Sequence, residues 1–258
     1  MECYNDKDIM QEVIKIESMV RDIYDAVVEK EDKRVCPICN NVLRLYLPFG
    51  ATHLRRQAMC PVCHSVERHR ELWLYIQDNK DLFFKKPREN RLLHFAPELG
   101  LWNKFSTMEC VDYYPVDINS KHYGICKTVD ITDITYEDNY FDVIICNHVL
   151  EHITDDRKAI KELYRVLNSS GIAILNVPIK KSLNMTMEKA EYNTPELREK
   201  YYGQADHVRF YGNDYIQRLE ESGFCVNVIH PNEDRNDKEI RKYGLTRNGE
   251  IYVCEKST

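Results

Sequence analysis

The chain has 258 residues, 43% hydrophobic and 30% charged, with only 9 Gly and 9 Pro, which excludes collagen-like and low-complexity chains and leaves ample apolar material for a core. Its formal net charge of −6 argues against a protein that coats nucleic acid non-specifically. No apolar run approaches the roughly 18 residues of a membrane span, and the opening MECYNDKDIM lacks a signal-peptide profile, so a cytoplasmic location is expected.

Residues 8–30 place Ile9, Val13, Ile16, Val20, Ile23 and Val27 at alternating spacings of four and three, which predicts one apolar stripe on an amphipathic helix. The stripe is shorter than the three to four heptads of a coiled coil, so a helix docked on its own chain is expected, with a homodimer seam as the alternative.

After the charged break at 29–34 come Cys36-Pro-Ile-Cys39 and, twenty residues later, Cys60-Pro-Val-Cys63. Two such knuckles put four thiolates around one tetrahedral Zn2+, with the run VLRLYLP and a turn at Phe49-Gly50 reading as a β-hairpin between them. A closed four-thiolate site is structural, because no position is left for water or substrate; His64, beside the fourth cysteine, is the one competing ligand. The other six of the 10 cysteines follow no framework spacing, which implies a reducing compartment. From Lys30 to Tyr75 eight basic residues face four acidic ones, net +4, so an anionic partner would be met here.

Residues 65–77 predict a helix with Ser65 as N-cap and Leu72, Trp73 and Ile76 on its apolar side. Arg68, His69 and Arg70 lie in its first turns, where cations oppose the helix dipole, so they mark either a nearby anionic ligand or a solvated face. From Arg91 onward short apolar runs at 92–96, 111–117, 141–146, 171–177, 224–229 and 250–254 alternate with helical segments, the clearest at 157–167. That alternation predicts an α/β fold with a doubly wound, mostly parallel sheet, whose ligands bind beyond the carboxyl ends of its strands.

The residues at those strand ends are LLHFAPELG after the first run, YYPVDIN after the second, and VDITDITYEDNYFDVIICNHVLEHITDD and ELYRVLNSSGIAILNVP beyond. This stretch, from about Arg91 to Val177, resembles the class I S-adenosylmethionine-dependent methyltransferases, the small-molecule type with a V-L-E-H-I signature. CPVCHSVERHRELWLY followed by HFAPE resembles a subgroup in which a zinc ribbon precedes a Rossmann-like catalytic domain. The resemblance implies an N-terminal helix over 1–34, a ribbon over 35–66 and a methyltransferase domain over 67–258, with a substrate-covering insertion at about 180–212.

It also implies a set of roles. Asp117, with Ile118, would accept the ribose hydroxyls of S-adenosyl-L-methionine. Asp130 would accept the adenine amino group, with Ile131 as amide and apolar flank. His94, Ala96, Pro97 and Glu98 would form the turn at the methionine end, and Asn147 and His148 would line the pocket beside the sulfonium. The usual Gly-x-Gly-x-Gly turn is replaced here by a stretch with a single glycine, Gly100, and Pro97 removes an amide donor. Glu98 either binds the cofactor amine or caps the next helix. His207 and His152 are the candidate bases, and Arg68, His207, Arg209 and Tyr211 the candidate acceptor contacts. His207 and Arg209, one residue apart, share a side of an extended segment and serve either the acceptor or a structural clasp. Methylation at a pyrimidine carbon would need an attacking thiolate, and no Pro-Cys dipeptide stands at the relevant strand end.

The expected function is methyl transfer to an oxygen or nitrogen of a small polar molecule. Two alternatives remain at this point: an RNA methyltransferase whose basic ribbon holds nucleic acid, and a non-catalytic zinc-ribbon interaction module.

Overall fold

The computed structural model describes residues 6–28, 33–50, 54–119 and 127–256; the expected end of the first helix, at 29–30, lies outside them. In chain order the elements are α1 (Asp6–Val28), β1 (Arg34–Val35), β2 (Val42–Leu43), β3 (Leu47–Phe49), β4 (Arg55–Met59), α2 (Glu67–Asp78), α3 (Lys80–Phe83), β5 (Asn90–Phe95), α4 (Leu99–Phe105), β6 (Val111–Asp117) and β7 (Lys127–Thr128). They continue with β8 (Phe141–Asn147), a 3-10 turn at Leu150–His152, α5 (Asp156–Val166), β9 (Leu167–Asn176), α6 (Pro195–Tyr202), α7 (Tyr215–Glu220), β10 (Phe224–Ile229), α8 (Asp237–Tyr243) and β11 (Ile251–Lys256).

The chain forms two compact units. The first gathers residues 1–78, 98–104 and 230–249; the second gathers 79–97, 105–229 and 250–258. Residues 67–78, 98–104 and 230–249, which the sequence places with the catalytic domain, therefore cluster with the segment that carries the four cysteines.

In the first unit the expected hairpin is formed by β3 and β4 on the two sides of Gly50, and the earlier part of the run goes elsewhere. β2 pairs back onto β1, and only β3 pairs with β4, both antiparallel. Of the stripe on α1, Val13, Ile16, Val20 and Ile23 are exposed, while the side chains of Ile9 and Val27 lie outside the described set; the α1 backbone runs close to β3 and β4. Ser65 is not the N-cap of α2, which starts two residues later; its hydroxyl lies 3.4 Å from Cys36 Sγ and 3.2 Å from Cys63 Sγ. Arg70 is neither solvated nor free for an anion. It is fully buried, donates to the carbonyls of Ser65 (2.6 Å), Ala58 (2.8 Å), Tyr243 (2.8 Å) and Gly244 (2.5 Å), and stacks 4.1 Å over the Tyr46 ring. Glu71 accepts from the Thr246 amide and hydroxyl at 2.6 and 2.8 Å. These two α2 side chains explain why residues from the far end of the chain join the first unit.

In the second unit seven strands form one sheet in the order β10-β11-β9-β8-β5-β6-β7. β9, β8, β5, β6 and β7 are parallel, and β11 and β10 close the other edge antiparallel. The FDVIICN run of β8 is buried almost throughout, as a strand covered on both faces must be. β9 begins earlier than its apolar run suggests, and its register with β8 shifts between Phe141 and Val143. Gly171 sits at that irregularity, where a Cβ would stand 2.7 Å from Leu167 Cδ1 and 2.9 Å from Asp142 O, so only glycine fits. The chain runs outward from β5 through β6 and β7, then returns to lay β8 on the other side of β5. This reversal makes the carboxyl ends of β5 and β8 the topological switch point, where doubly wound sheets hold their ligands.

Candidate functional site

The first unit brings Cys36, Cys39, Cys60 and Cys63 together. Cys36 Sγ stands 3.6 Å from Cys63 Sγ, and Cys39 Sγ 3.7 Å from Cys60 Sγ. Thiolates on a tetrahedral zinc with bonds of about 2.3 Å stand about 3.8 Å apart, so the donor set fits that ion in kind and in spacing. The knuckles repeat one geometry. Asn40 N donates to Cys36 O at 2.8 Å and His64 N to Cys60 O at 3.0 Å, with φ of 60° at Asn40 and 56° at His64. His64 thus occupies the turn position that Asn40 fills in the other knuckle. It is exposed and stands outside the four-sulfur group.

The second unit holds a cavity of about 410 Å3 beyond the carboxyl ends of β5, β6 and β7, lined by Phe95, Ala96, Asp117, Ile118, Val129, Asp130, Ile131, Thr132, Val149 and residues 152–155. Its volume is that of an ordinary small-molecule site. β6 ends at Asp117, whose Oδ1 accepts the Asn119 amide at 2.7 Å. Just past β7, Asp130 Oδ1 accepts from the amide and the hydroxyl of Thr132, both at 2.8 Å. The Thr132 donors hold the Asp130 carboxyl below its ordinary range, the amide contributing most. Both are turn aspartates with one oxygen engaged locally, and both line the cavity. Ala96, the first residue past β5, adopts φ of 44°, the left-handed conformation that a glycine turn would use.

Several expected cofactor residues are placed elsewhere. His94 is fully buried, with Nδ1 3.0 Å from the Tyr113 hydroxyl and its ring edge-on to Phe105, so it presents no surface to a ligand. Asn147 is buried and accepts from Asn176 Nδ2 at 3.0 Å. Pro97 is buried in the second unit, whereas Glu98 belongs to the first, where its carboxylate faces His69 Nε2 at 3.5 Å. Arg68 is exposed on α2, also in the first unit.

Of the expected acceptor contacts, Arg209, one half of the expected His207–Arg209 clasp, and Tyr211 are engaged within the structure. Arg209 donates to the carbonyls of Leu150, Ile153 and Thr154 and to Glu188, and Tyr211 OH donates to Asp156 Oδ2 at 2.7 Å. Both side chains are buried and tie the insertion to the turn after β8, which leaves them no surface for an acceptor.

His207 and His152 are brought together, their rings edge to face at 4.7 Å between centroids. His152 also lines the cavity. Burial pushes the His207 imidazole below its ordinary range and His152 pushes it the same way, while Glu151 and Asp206 oppose. Around this pair stand His148, whose Nδ1 is 3.3 Å from Glu151 Oε1, and Asp206, 3.3 Å from His152 Nδ1. His148 carries φ of 54°, which turns it out of the strand direction toward Glu151. Glu151 is the residue the sequence did not single out. The pattern V-L-E-H-I marks it only as a helix-face acid, yet it is 1% exposed and lies within the polar group.

Residues 101–175 match the protein-family profile described as "Methyltransferase domain", and the parallel core with its antiparallel final pair is the Rossmann-like methyltransferase fold. An uncharacterized protein of Methanocaldococcus jannaschii is 27% identical over 125 residues, 47% of this chain and 58% of its own length, so the chain spans little more than half of that relative. Solved structures with a similar fold include a SAM-dependent methyltransferase from Archaeoglobus fulgidus, at TM-score 0.48 and 14% identity over 76% of this chain and 96% of that one. Another is an S-adenosylmethionine-dependent methyltransferase, so described, from Listeria monocytogenes, at TM-score 0.46 and 16% identity over 74% and 99%.

Proposed function

We propose that this chain transfers a methyl group from S-adenosyl-L-methionine to an oxygen or nitrogen of a small polar acceptor. The observation that carries the reading is the cavity at the switch point with Asp117 and Asp130 on its wall, one at the end of β6 and one past β7. Asp117 would hold the ribose hydroxyls, Asp130 the adenine amino group, Ile131 and Ile118 the apolar flanks of the purine, and the backbone turn at Ala96 the methionine end. The bound cofactor supplies an electrophilic methyl on a sulfonium. The methyl would pass to the acceptor's lone pair, with the sulfur–methyl electron pair left on sulfur and the acceptor's proton taken up by His207, His152 or water. The protein's work in such a step is to place donor and acceptor in line and keep water out. His152 and His207 are the groups we assign to the acceptor side, since they stand together at the turn after β8 and away from Asp117 and Asp130 in the chain. The four cysteines of the first unit we assign to one structural zinc.

Calorimetric titration of the full chain with S-adenosyl-L-methionine and with its demethylated product tests the cofactor reading. Both should bind, and Asp117→Ala should weaken them about tenfold or more, since bonds from hydroxyls to a carboxylate contribute roughly 1.5–3 kcal/mol each. Absence of binding by the folded wild-type protein would refute it. A radiolabelled methyl-transfer screen of cell-extract fractions, run with and without nuclease, would then separate a small-molecule acceptor from RNA.

A further inference from the structure

We infer that Glu151, His152 and His207 form a second metal site, distinct from the four-cysteine site, which binds a divalent first-row transition-metal ion and leaves coordination positions open for an oxygen of the methyl acceptor. The acceptor's part in this rests on the methyl-transfer reading; the metal site stands on the side chains alone.

One ligand atom from each of the three residues lies within 4.8 Å of the others. Ligands on such an ion stand about 3–4 Å apart, so small side-chain rotations close the set. The second observation is Glu151 itself. Its side chain is 1% exposed, Oε1 faces His148, and Oε2 is buried with no hydrogen-bond partner. Burying an unmatched carboxylate oxygen is costly, and native structures almost always supply a partner; a cation is one. The third is the orientation of both imidazoles. His207 Nδ1 lies 3.2 Å from the Tyr202 carbonyl, which can only accept, so Nδ1 carries the proton and Nε2 the lone pair. His152 Nδ1 likewise faces the Asp206 carboxylate at 3.3 Å. A histidine whose outer nitrogen donates to a carbonyl or carboxylate is the usual arrangement of a metal ligand.

The backbone supports the group as well. Val208 N donates to Glu151 O at 2.9 Å, and the Arg209 guanidinium binds the Leu150 and Thr154 carbonyls, each at 2.9 Å, so the insertion that carries His207 is fixed against the turn that carries Glu151 and His152. Two imidazoles and a carboxylate suit zinc, cobalt, iron, nickel or manganese better than calcium or magnesium, which take oxygen ligands. Three protein ligands leave at least one position for an exchangeable oxygen, unlike the closed cysteine site. His152 belongs to both the ligand group and the cavity wall, which puts that open side within reach of a molecule bound there.

The test uses the full chain with zinc retained in the cysteine site and loosely held metal removed by brief dialysis against EDTA, then titrated with Co2+. One further equivalent should bind with weak visible d–d absorption and without a sulfur-to-cobalt charge-transfer band. Glu151→Gln and, independently, His152→Asn should weaken that binding about tenfold or more, the scale on which metal sites respond to loss of even their supporting groups. No added cobalt, a spectrum with the sulfur band only, or undiminished affinity in both folded variants would overturn the site and leave an ion-free acid–base cluster. Calorimetry with S-adenosyl-L-methionine on the same preparation keeps the two readings apart. Cofactor binding without cobalt binding would overturn the metal site alone; cobalt binding without cofactor binding would uphold it and overturn the methyl-transfer reading.

Discussion

Ala96 carries the turn after β5 with φ of 44°, and its amide donates to Val116 O at 2.9 Å. For a residue with a Cβ that conformation costs roughly 1–2 kcal/mol, and the side chain is exposed, so little packing offsets it. Ala96→Gly should therefore stabilise the protein by up to about 1 kcal/mol after the extra entropy of a glycine in the unfolded chain is set against the relieved strain. The urea midpoint measures this, and a lower midpoint would show that the Cβ is needed where it stands. At this position a left-handed backbone is thus kept without a glycine, which no reading of residue types could reveal. That Asp117 and Asp130 stand on the cavity wall was legible because strand ends are legible: an apolar run stops at a polar residue, and the clefts of such sheets open there. The burial of Glu151 was not, because it depends on a segment 56 residues further along, around His207, where Val208 N donates to Glu151 O.

At the scale of elements, the insertion between β9 and α7 is held by a charge network whose partners lie far apart in the chain. Glu188 accepts from Arg209 Nε at 2.9 Å and Arg218 Nη2 at 2.6 Å, while Asp156, on α5, accepts from Arg218 Nη1 at 3.1 Å. Burial pushes the Glu188 carboxyl up, but the two guanidiniums together outweigh it and hold the group below its ordinary range. A carboxyl depressed in the folded state contributes stability that is present above the unfolded value of about 4.3 and is lost as pH falls through the folded value. Glu188→Gln should accordingly lower stability near neutral pH and flatten the loss of stability below about pH 4.3. Urea midpoints across the acid range measure it, and a parallel acid limb in the variant would show that other carboxylates set it. The sequence left open what Arg209 touches, since a His-x-Arg pair on an extended segment serves a ligand or a clasp equally well. The clasp emerges only when the turn at 150–154 presents three carbonyls to one guanidinium, a fact of tertiary structure.

At the scale of the whole chain, the two units are interleaved in sequence: 98–104 and 230–249 belong with the first unit although they interrupt the segments that build the sheet. The alternation of strands and helices from Arg91 onward made the sheet readable, but it gave no sign that its connections also supply the first unit. Within that unit, Arg70 is the junction. It binds the carbonyls of Ala58 and Ser65 on either side of the second knuckle, and those of Tyr243 and Gly244 at the end of α8. Gly244 admits this approach because it adopts φ of 60° and a Cβ there would stand 2.5 Å from the Tyr46 ring. If the four cysteines hold zinc, the ion fixes Cys60 and Cys63, the knuckle fixes the Ala58 and Ser65 carbonyls, and Arg70 passes that order to residues 243–244. Chelation should then raise amide exchange not only at 36–65 but also across α8 and its cap, where the Gly244 and Leu245 amides close the last turn onto Arg241 and Ile240. Hydrogen-exchange mass spectrometry with and without chelator measures it, with the amides of β8 and β9 as the reference within the same molecule. Metal analysis should find about one zinc per chain in this site before chelation and none there in Cys60→Ser. Faster exchange confined to the knuckles, with α8 unchanged, would mean that Arg70 holds residues 243–244 without help from the ion, and that burial of its guanidinium against Tyr46 is sufficient to keep the unit together.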